Sequence, residues 1–168
     1  MGAIVWMIIE WIRFGKPSLV GIVTGMVAGL ATVTPASGFI GVPGGIILGL
    51  SGGIICYFSV DLIRSKLKID DSLDVFAVHG VGGILGTLMV SFLALKIFSG
   101  TGLAQEMSAN SQFIAQLFGV ILTVVWTLIF TYIALKITSL FTSLRVEEQE
   151  EIEGLDLRSH GERAYYND

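Results

Sequence analysis

The longest charge-free stretch of this chain limits its fold more than any other feature of the sequence. Residues 17–60 form 44 consecutive positions without Asp, Glu, Lys, Arg or His, and residues 107–135 form 29 more. About 20 apolar residues are enough to cross a bilayer as a helix. The first stretch therefore holds two membrane spans and the second holds one. Charged residues make up 14% of the chain, well below the roughly 25% of soluble domains.

The apolar segments predict an all-α, polytopic membrane protein with four full transmembrane helices and a partial first helix. The full spans are predicted at residues 18–35, 44–63, 72–97 and 113–141. Residues 1–14 are too short to span, because only residues 1–12 precede Arg13. They also lack the basic start of a signal peptide. We interpret them as the end of a helix whose beginning is missing from a truncated chain.

Lysine and arginine fall mainly on one side of the predicted membrane. Only Lys96 lies between spans on the other side. The opposite set comprises Arg13, Lys16, Arg64, Lys66, Lys68, Lys136 and Arg145. Loops rich in Lys and Arg stay in the cytoplasm, so residues 1–143 form a membrane domain of the cell membrane and residues 144–168 form a cytoplasmic tail. This tail is too acidic to seek anionic lipid, and the chain has no basic face for nucleic acid.

Small residues predict close contact between the helices. Glycines recur every four residues in three predicted spans, a spacing that lines one helix face and lets neighbouring backbones approach in lipid. The three sets are Gly21, Gly25 and Gly29; Gly45, Gly49 and Gly53; and Gly82 and Gly86. Cys56 is the only cysteine, so no disulfide can form within the chain. Its apolar neighbours indicate an inert buried thiol.

His79 is the only residue between Asp74 and Lys96 that can carry a charge. Ionisable groups inside a membrane span are costly and usually mark a pathway or a proton relay. Imidazole suits proton handling because its unperturbed pKa is about 6.5. The alternative is a neutral core histidine bonded to a helix hydroxyl or carbonyl. No His, Cys or carboxylate lies three or four residues away, so a metal site is not expected, and Asp74 is better explained as an anion in the first helical turn.

Two threonines offer hydroxyl groups along such a pathway. Bonding to a carbonyl of their own helix is the commoner role for both Thr24 and Thr34. Thr34 has the stronger case, because Pro35 cannot donate a backbone hydrogen bond and leaves a carbonyl free. The sequence shows neither a phosphate-binding glycine loop nor a nucleophile–base pair. Neither an enzyme nor a cofactor is expected.

Three motifs together resemble ammonium transporters of the Amt/Mep/Rh family, most closely the bacterial Amt branch. They are TPASG at residues 34–38, DDSLDVFAVHGVGG at residues 70–83, and GLDLRSHGERAY at residues 154–165. Two further segments, RFGKPS at residues 13–18 and LRVEEQE at residues 144–150, match the bacterial branch. The resemblance covers essentially the whole chain, in register. It implies an eleven-span, inverted-repeat fold, a homotrimer, and a narrow apolar pathway in each protomer that conducts ammonia derived from ammonium.

The resemblance also assigns roles to single residues. His79 matches the second of a pair of histidines in the pathway, and Val75, Thr34, Val27 and Thr24 match residues that line it. Asp74 matches a family residue on the cytoplasmic side, and Gly80 and Gly83 flank the histidine near the pathway. The tail is implied to contact neighbouring protomers and a P-II nitrogen-signalling protein. Its predicted regulatory residues are Arg145, Gly154, Asp156, His160 and Tyr165, although His160 taken alone is an ordinary polar tail residue.

The chain resembles only the C-terminal portion of that family. The first histidine of the pair, the external aromatic site and the gating phenylalanines are implied to lie in spans that this sequence lacks, so we expect the chain alone not to conduct. Ser143 stands where many members have glycine, which implies a slightly stiffer hinge before the tail. Alternative functions are an ammonium sensor and, with less support, a general ion channel, an adaptor or a small structural membrane protein.

Overall fold

The structure is a computed structural model that describes residues 1–162. The elements of regular structure among the described residues are all helices. Four helical stretches are long and apolar enough to cross a membrane. This confirms the predicted all-α fold with four full spans. The helices are α1 Gly2–Phe14, α2 Leu19–Val33, α3 Val42–Val60, α4 Val81–Leu93, α5 Ala109–Thr138 and α6 Glu148–Glu153. Short 3₁₀ turns cover Thr34–Ala36 and Lys96–Phe98, and wider π-helical turns cover Asp61–Lys66, Phe76–Gly80 and Asp156–His160.

The chain divides into two compact units, Met1–Leu122 and Thr123–Asp168. In the first unit, α1 crosses α2 and α3 where three helices present glycine. A Cβ atom on Gly29 would lie 3.4 Å from Cα of Gly2, and one on Gly53 would lie 3.0 Å from the same atom. Trp6 lies directly against Gly25. The prediction of close helix contact is therefore confirmed here, although Gly45 of the same ladder has no atom within 4 Å of its Cβ position.

A second contact between helices, which we call the Thr32 junction, joins α2, α3 and α4. It consists of Thr32, which is completely buried, and the three glycines that surround it, Gly52, Gly82 and Gly86. The hydroxyl of Thr32 donates to the carbonyl of Ala28 at 2.8 Å. Two of these glycines belong to the predicted ladders and Gly52 does not. Because a methyl group on any of them would run into Thr32, the junction requires glycine at all three positions.

Apolar side chains fill the space on either side of the Thr32 junction. One cluster consists of Trp6, Ala28, Cys56, Tyr57 and Val78, and the other of Ala36, Leu48, Val90, Leu93 and Ala94. Cys56 is completely buried, as predicted. Helix α5 differs from these helices: it contains no buried residue in the described structure.

The fourth span differs from its predicted limits at both ends. Its helical hydrogen bonding begins at the carbonyl of Asp74, whose φ is 56°, and α4 ends at Leu93 rather than at residue 97. The prediction that Asp74 lies in the first helical turn is wrong, because its left-handed backbone places it before the helix. Asp71 caps this start of the span from the preceding turn. Its carboxylate accepts the backbone N–H groups of Val75 at 2.7 Å and Phe76 at 2.9 Å.

The second unit contains the acidic tail. Helix α6 ends at Glu153, and the next residue, Gly154, has a φ of 95°. This backbone is strained for other residues, so glycine suits the position where the helix ends. Arg158 lies 2.6 Å from Glu153 across this break. Residue Tyr165 lies outside the described residues.

Candidate functional site

The wide turn that carries His79 is the central element of the candidate site. Residues Phe76–Gly80 form a π-helical segment, an irregularity that is frequent at functional sites. The Asp71 carboxylate binds the first turn of this segment, since it accepts the N–H of Ala77 at 3.3 Å in addition to those of Val75 and Phe76. In the middle of the segment, the buried thiol of Cys56 contacts the carbonyl of Val78 at 3.8 Å. The backbone that leads into His79 is therefore held by other parts of the chain.

The imidazole of His79 points away from the packed interior of its unit. His79 is exposed, whereas the preceding residues Ala77 and Val78 are 0% and 2% exposed. Its ring has no hydrogen-bond partner among the residues that the structure describes. A histidine bonded within the core of this chain, the alternative that the sequence left open, is not what the structure shows.

The other predicted pathway residues differ in how exposed they are and in what they contact. Val75 is 53% exposed, and Val27 packs against the cluster that contains Val78. The hydroxyl of Thr24 donates to the carbonyl of Val20 at 2.9 Å, and that of Thr34 donates to the carbonyl of Leu30 at 2.7 Å. Both threonines therefore adopt the commoner bonding to their own helix.

The glycines around His79 have different surroundings. The ring of Phe76 would lie 2.8 Å from a Cβ atom on Gly80, whereas Gly83 has no atom within 4 Å of that position. Gly83 thus leaves open space on the exposed side of α4. In the tail, Arg145 lies 3.6 Å from Glu151. Asp156 and His160 are the two ends of a π-helical turn.

A charged cleft lies at the end of the bundle that we predict to be cytoplasmic. It has a volume of about 420 Å³ and includes Thr24 and Asp74 among its lining residues. Arg13 of α1 donates to the hydroxyl of Tyr57 at 3.3 Å and lies 3.5 Å from Asp61. Arg64 lies 3.4 Å from Asp74. Four of the charged residues that line the cleft thus form two ion pairs across its walls.

Two features of this cleft were not found from the sequence. Glu10 accepts the backbone N–H of Ser18 at 2.7 Å and the Ser18 hydroxyl at 3.1 Å. It therefore fixes the start of α2 from the neighbouring helix. Tyr57 is the second, and its only sequence signal was its distance of four residues from Asp61, which places both on one helix face.

Burial raises the pKa of the Asp74 carboxyl above its ordinary value, and the Arg64 guanidinium opposes that rise. The Asp74 side chain is 15% exposed, and the ion pair with Arg64 favours its ionised form. In the described residues, no group of three or more His, Cys, Asp or Glu side chains is arranged to hold a metal ion.

Comparison with known proteins agrees with the residue pattern. The Ammonium Transporter Family matches residues 1–165. Ammonium transporter Amt1 of Archaeoglobus fulgidus is 46% identical over 96% of this chain and 40% of its own length. A putative ammonium transporter of Methanothermobacter thermautotrophicus is 41% identical over 98% of this chain and 41% of its own length. The chain thus spans about two fifths of these relatives.

Solved structures show the same likeness in three dimensions. A "Sensor Amt Protein" superimposes with a TM-score of 0.82 at 29% identity, over 94% of this chain and 38% of that one. Mep2 of Saccharomyces cerevisiae superimposes with a TM-score of 0.74 at 31% identity, over 88% and 35%. With the four apolar helices, these matches describe a multi-pass membrane protein. The chain belongs to the ammonium transporter family.

Proposed function

We propose that this chain is the C-terminal part of an ammonium transporter and supplies one wall of its ammonia pathway. His79 is the proton-handling residue of this wall, and Val75, Thr34, Val27 and Thr24 line it. The observation that carries the proposal is the exposed imidazole in a membrane-spanning segment of a family member. Facing lipid would be costly for this group, so we infer that it faces a pathway completed by the rest of the transporter.

We infer the orientation of the chain in the membrane from the distribution of its charges. The Lys and Arg bias supports a cell membrane protein with its C-terminus in the cytoplasm. We propose that residues 1–143 are the membrane part and that residues 144–168 regulate it within a homotrimer, by contact with neighbouring protomers and a P-II signalling protein. Arg145, Gly154 and Asp156 lie in the described part of that tail. His160 ends its π-helical turn, and we propose Tyr165 as an apolar anchor. Neither a catalytic step nor a cofactor forms part of this proposal.

A chimaera provides the test of transport. This chain replaces the matching C-terminal residues of the Archaeoglobus fulgidus relative, which is 46% identical over the aligned region. Purified chimaera in liposomes is expected to carry an ammonium-dependent current, and His79→Ala is expected to reduce it or change its charge selectivity. Folded chimaera without current, or an unchanged current in the variant, would contradict the proposal. We expect no current from the 168-residue chain alone.

An ammonium sensor is the second candidate function. One observation favours it: the solved "Sensor Amt Protein" superimposes on 94% of this chain with a TM-score of 0.82. The same liposomes distinguish the two functions. A sensor is expected to bind ammonium, measured by calorimetry on the chimaera, without a corresponding current. Binding together with sustained flux supports the transporter.

A further inference from the structure

One ion pair joins the two ends of the loop between α3 and α4. Arg64 belongs to the π-helical segment Asp61–Lys66, which extends α3, and its Nη1 atom lies 3.4 Å from Oδ1 of Asp74. The Arg64 side chain is 51% exposed, whereas that of Asp74 is 15% exposed. The more buried partner is therefore the one next to the segment that carries His79.

Asp74 is where that segment starts. Its carbonyl accepts the backbone N–H of Val78 at 2.8 Å, and its φ of 56° is left-handed. Such a backbone is uncommon for a residue other than glycine and persists where the surrounding contacts determine it. The position of the first turn below His79 therefore depends on the contacts that hold Asp74.

Several other charges near the loop are engaged elsewhere. Asp71 accepts three backbone N–H groups of the wide turn, Arg13 pairs with Asp61, and Glu10 bonds to Ser18. Among the described residues, Arg64 is the cation at ion-pair distance from Asp74.

We propose that Arg64 is a positioning residue for His79: through its ion pair with Asp74 it fixes the start of the wide turn that carries the imidazole. The importance of His79 rests on the proposed function, whereas the fixing of the turn is a property of this loop alone. A half-exposed ion pair adds little to global stability. The effect of Arg64 is therefore local, on the geometry of residues 75–79.

Hydrogen–deuterium exchange of the chimaera tests the local effect without reference to transport. Arg64→Gln is expected to raise the exchange rate of the amides in residues 76–80 about fivefold, near the upper limit for a half-exposed ion pair. Arg64→Lys keeps the charge and is expected to restore most of the protection. Arg13→Gln, which breaks the neighbouring ion pair, is the matched control and is expected to leave these amides unchanged. Unchanged exchange in Arg64→Gln would overturn the inference, and so would equal exchange in the two Gln variants.

The pH profile of the current separates positioning from a direct effect of charge. One possibility is that Arg64 and Asp74 act on His79 only through their charges. In that case Arg64→Gln raises the midpoint pH of the current profile and Asp74→Asn lowers it. If they act together as a positioning pair, both variants move the profile in the same direction, and the double variant matches either single one. Asparagine tolerates left-handed backbone, so Asp74→Asn removes the ion pair without excluding the native backbone conformation at this position. Opposite shifts would overturn the inference. If the chimaera carries no current, the proposed function fails and the exchange experiment still decides the inference.

Discussion

Helix α4 and its wide-turn start contribute to two regions of the first unit that are built in opposite ways. At the Thr32 junction, Gly82 and Gly86 bring the backbone against a completely buried threonine whose hydroxyl is satisfied. On the other face, His79 is exposed and Gly83 leaves open space. The first region is complete within this chain. The second carries a polar group without a partner in the described residues, and in a membrane such a face is expected to meet protein or a pathway rather than lipid.

The largest expected difference in stability between the two regions comes from adding one methyl group to a glycine in each of them. In Gly86→Ala the new Cβ overlaps the backbone carbonyl of Thr32, and a backbone atom cannot move aside as a flexible side chain can. Overpacking of this kind costs about 3 kcal/mol. We expect Gly86→Ala to lower the thermal unfolding temperature of the chimaera strongly, measured by tryptophan fluorescence in detergent. Gly83→Ala has open space and is expected to unfold like the parent protein.

These two glycine variants can also contradict the comparison. If Gly83→Ala destabilises as much as Gly86→Ala, the His79 face is closely packed in the complete protein, and the proposed pathway has no room beside α4. A stable Gly86→Ala variant would instead mean that α2 and α4 separate more easily than the Thr32 junction implies.

The next largest difference in unfolding free energy is expected between variants of two adjacent residues, Val78 and His79. Val78 is 2% exposed, and we expect Val78→Ala to cost roughly 2 kcal/mol of unfolding free energy through the cavity it leaves. His79→Ala removes a larger side chain but is expected to change stability little, because that side chain is exposed. The transport assay should rank them in the reverse order, with the larger loss in His79→Ala. Equal losses of stability would show that His79 is a core residue after all.

The sequence predicted the membrane spans well because charge-free stretches report directly on the bilayer. It also predicted that Cys56 is buried, since the residues on both sides of it are apolar. The packing of Gly52 and the contacts of Tyr57 and Glu10 depend on which helix faces meet, and helix spacing alone does not fix those faces. The left-handed backbone of Asp74 was missed because that conformation is common for glycine and only occasional for aspartate. The pathway assignments came from family resemblance.

A smaller effect is expected from removing the hydroxyl of the Thr32 junction. Thr32→Val keeps the shape of the side chain and removes its hydrogen bond to Ala28. Hydrogen bonds inside membrane proteins contribute about 0.6 kcal/mol on average, so a loss of this order is expected in chemical unfolding. Thr34→Val is the matched control: Thr34 is exposed, and its variant should unfold like the parent protein and affect only transport. A larger loss in Thr34→Val than in Thr32→Val would contradict the contrast between the two faces.

The smallest change in stability is expected at Ser91 of α4, where the substitution should stabilise rather than destabilise the protein. This side chain is completely buried, yet its Oγ atom has no hydrogen-bond partner among the described residues. A buried polar group without a partner carries a desolvation penalty, so Ser91→Ala should leave stability unchanged or raise it by about 0.5 kcal/mol. Chemical unfolding of Ser91→Ala beside Thr32→Val measures the difference between an unsatisfied and a satisfied hydroxyl in the same bundle. A clear loss of stability would mean that the packing of the Ser91 side chain outweighs its desolvation penalty.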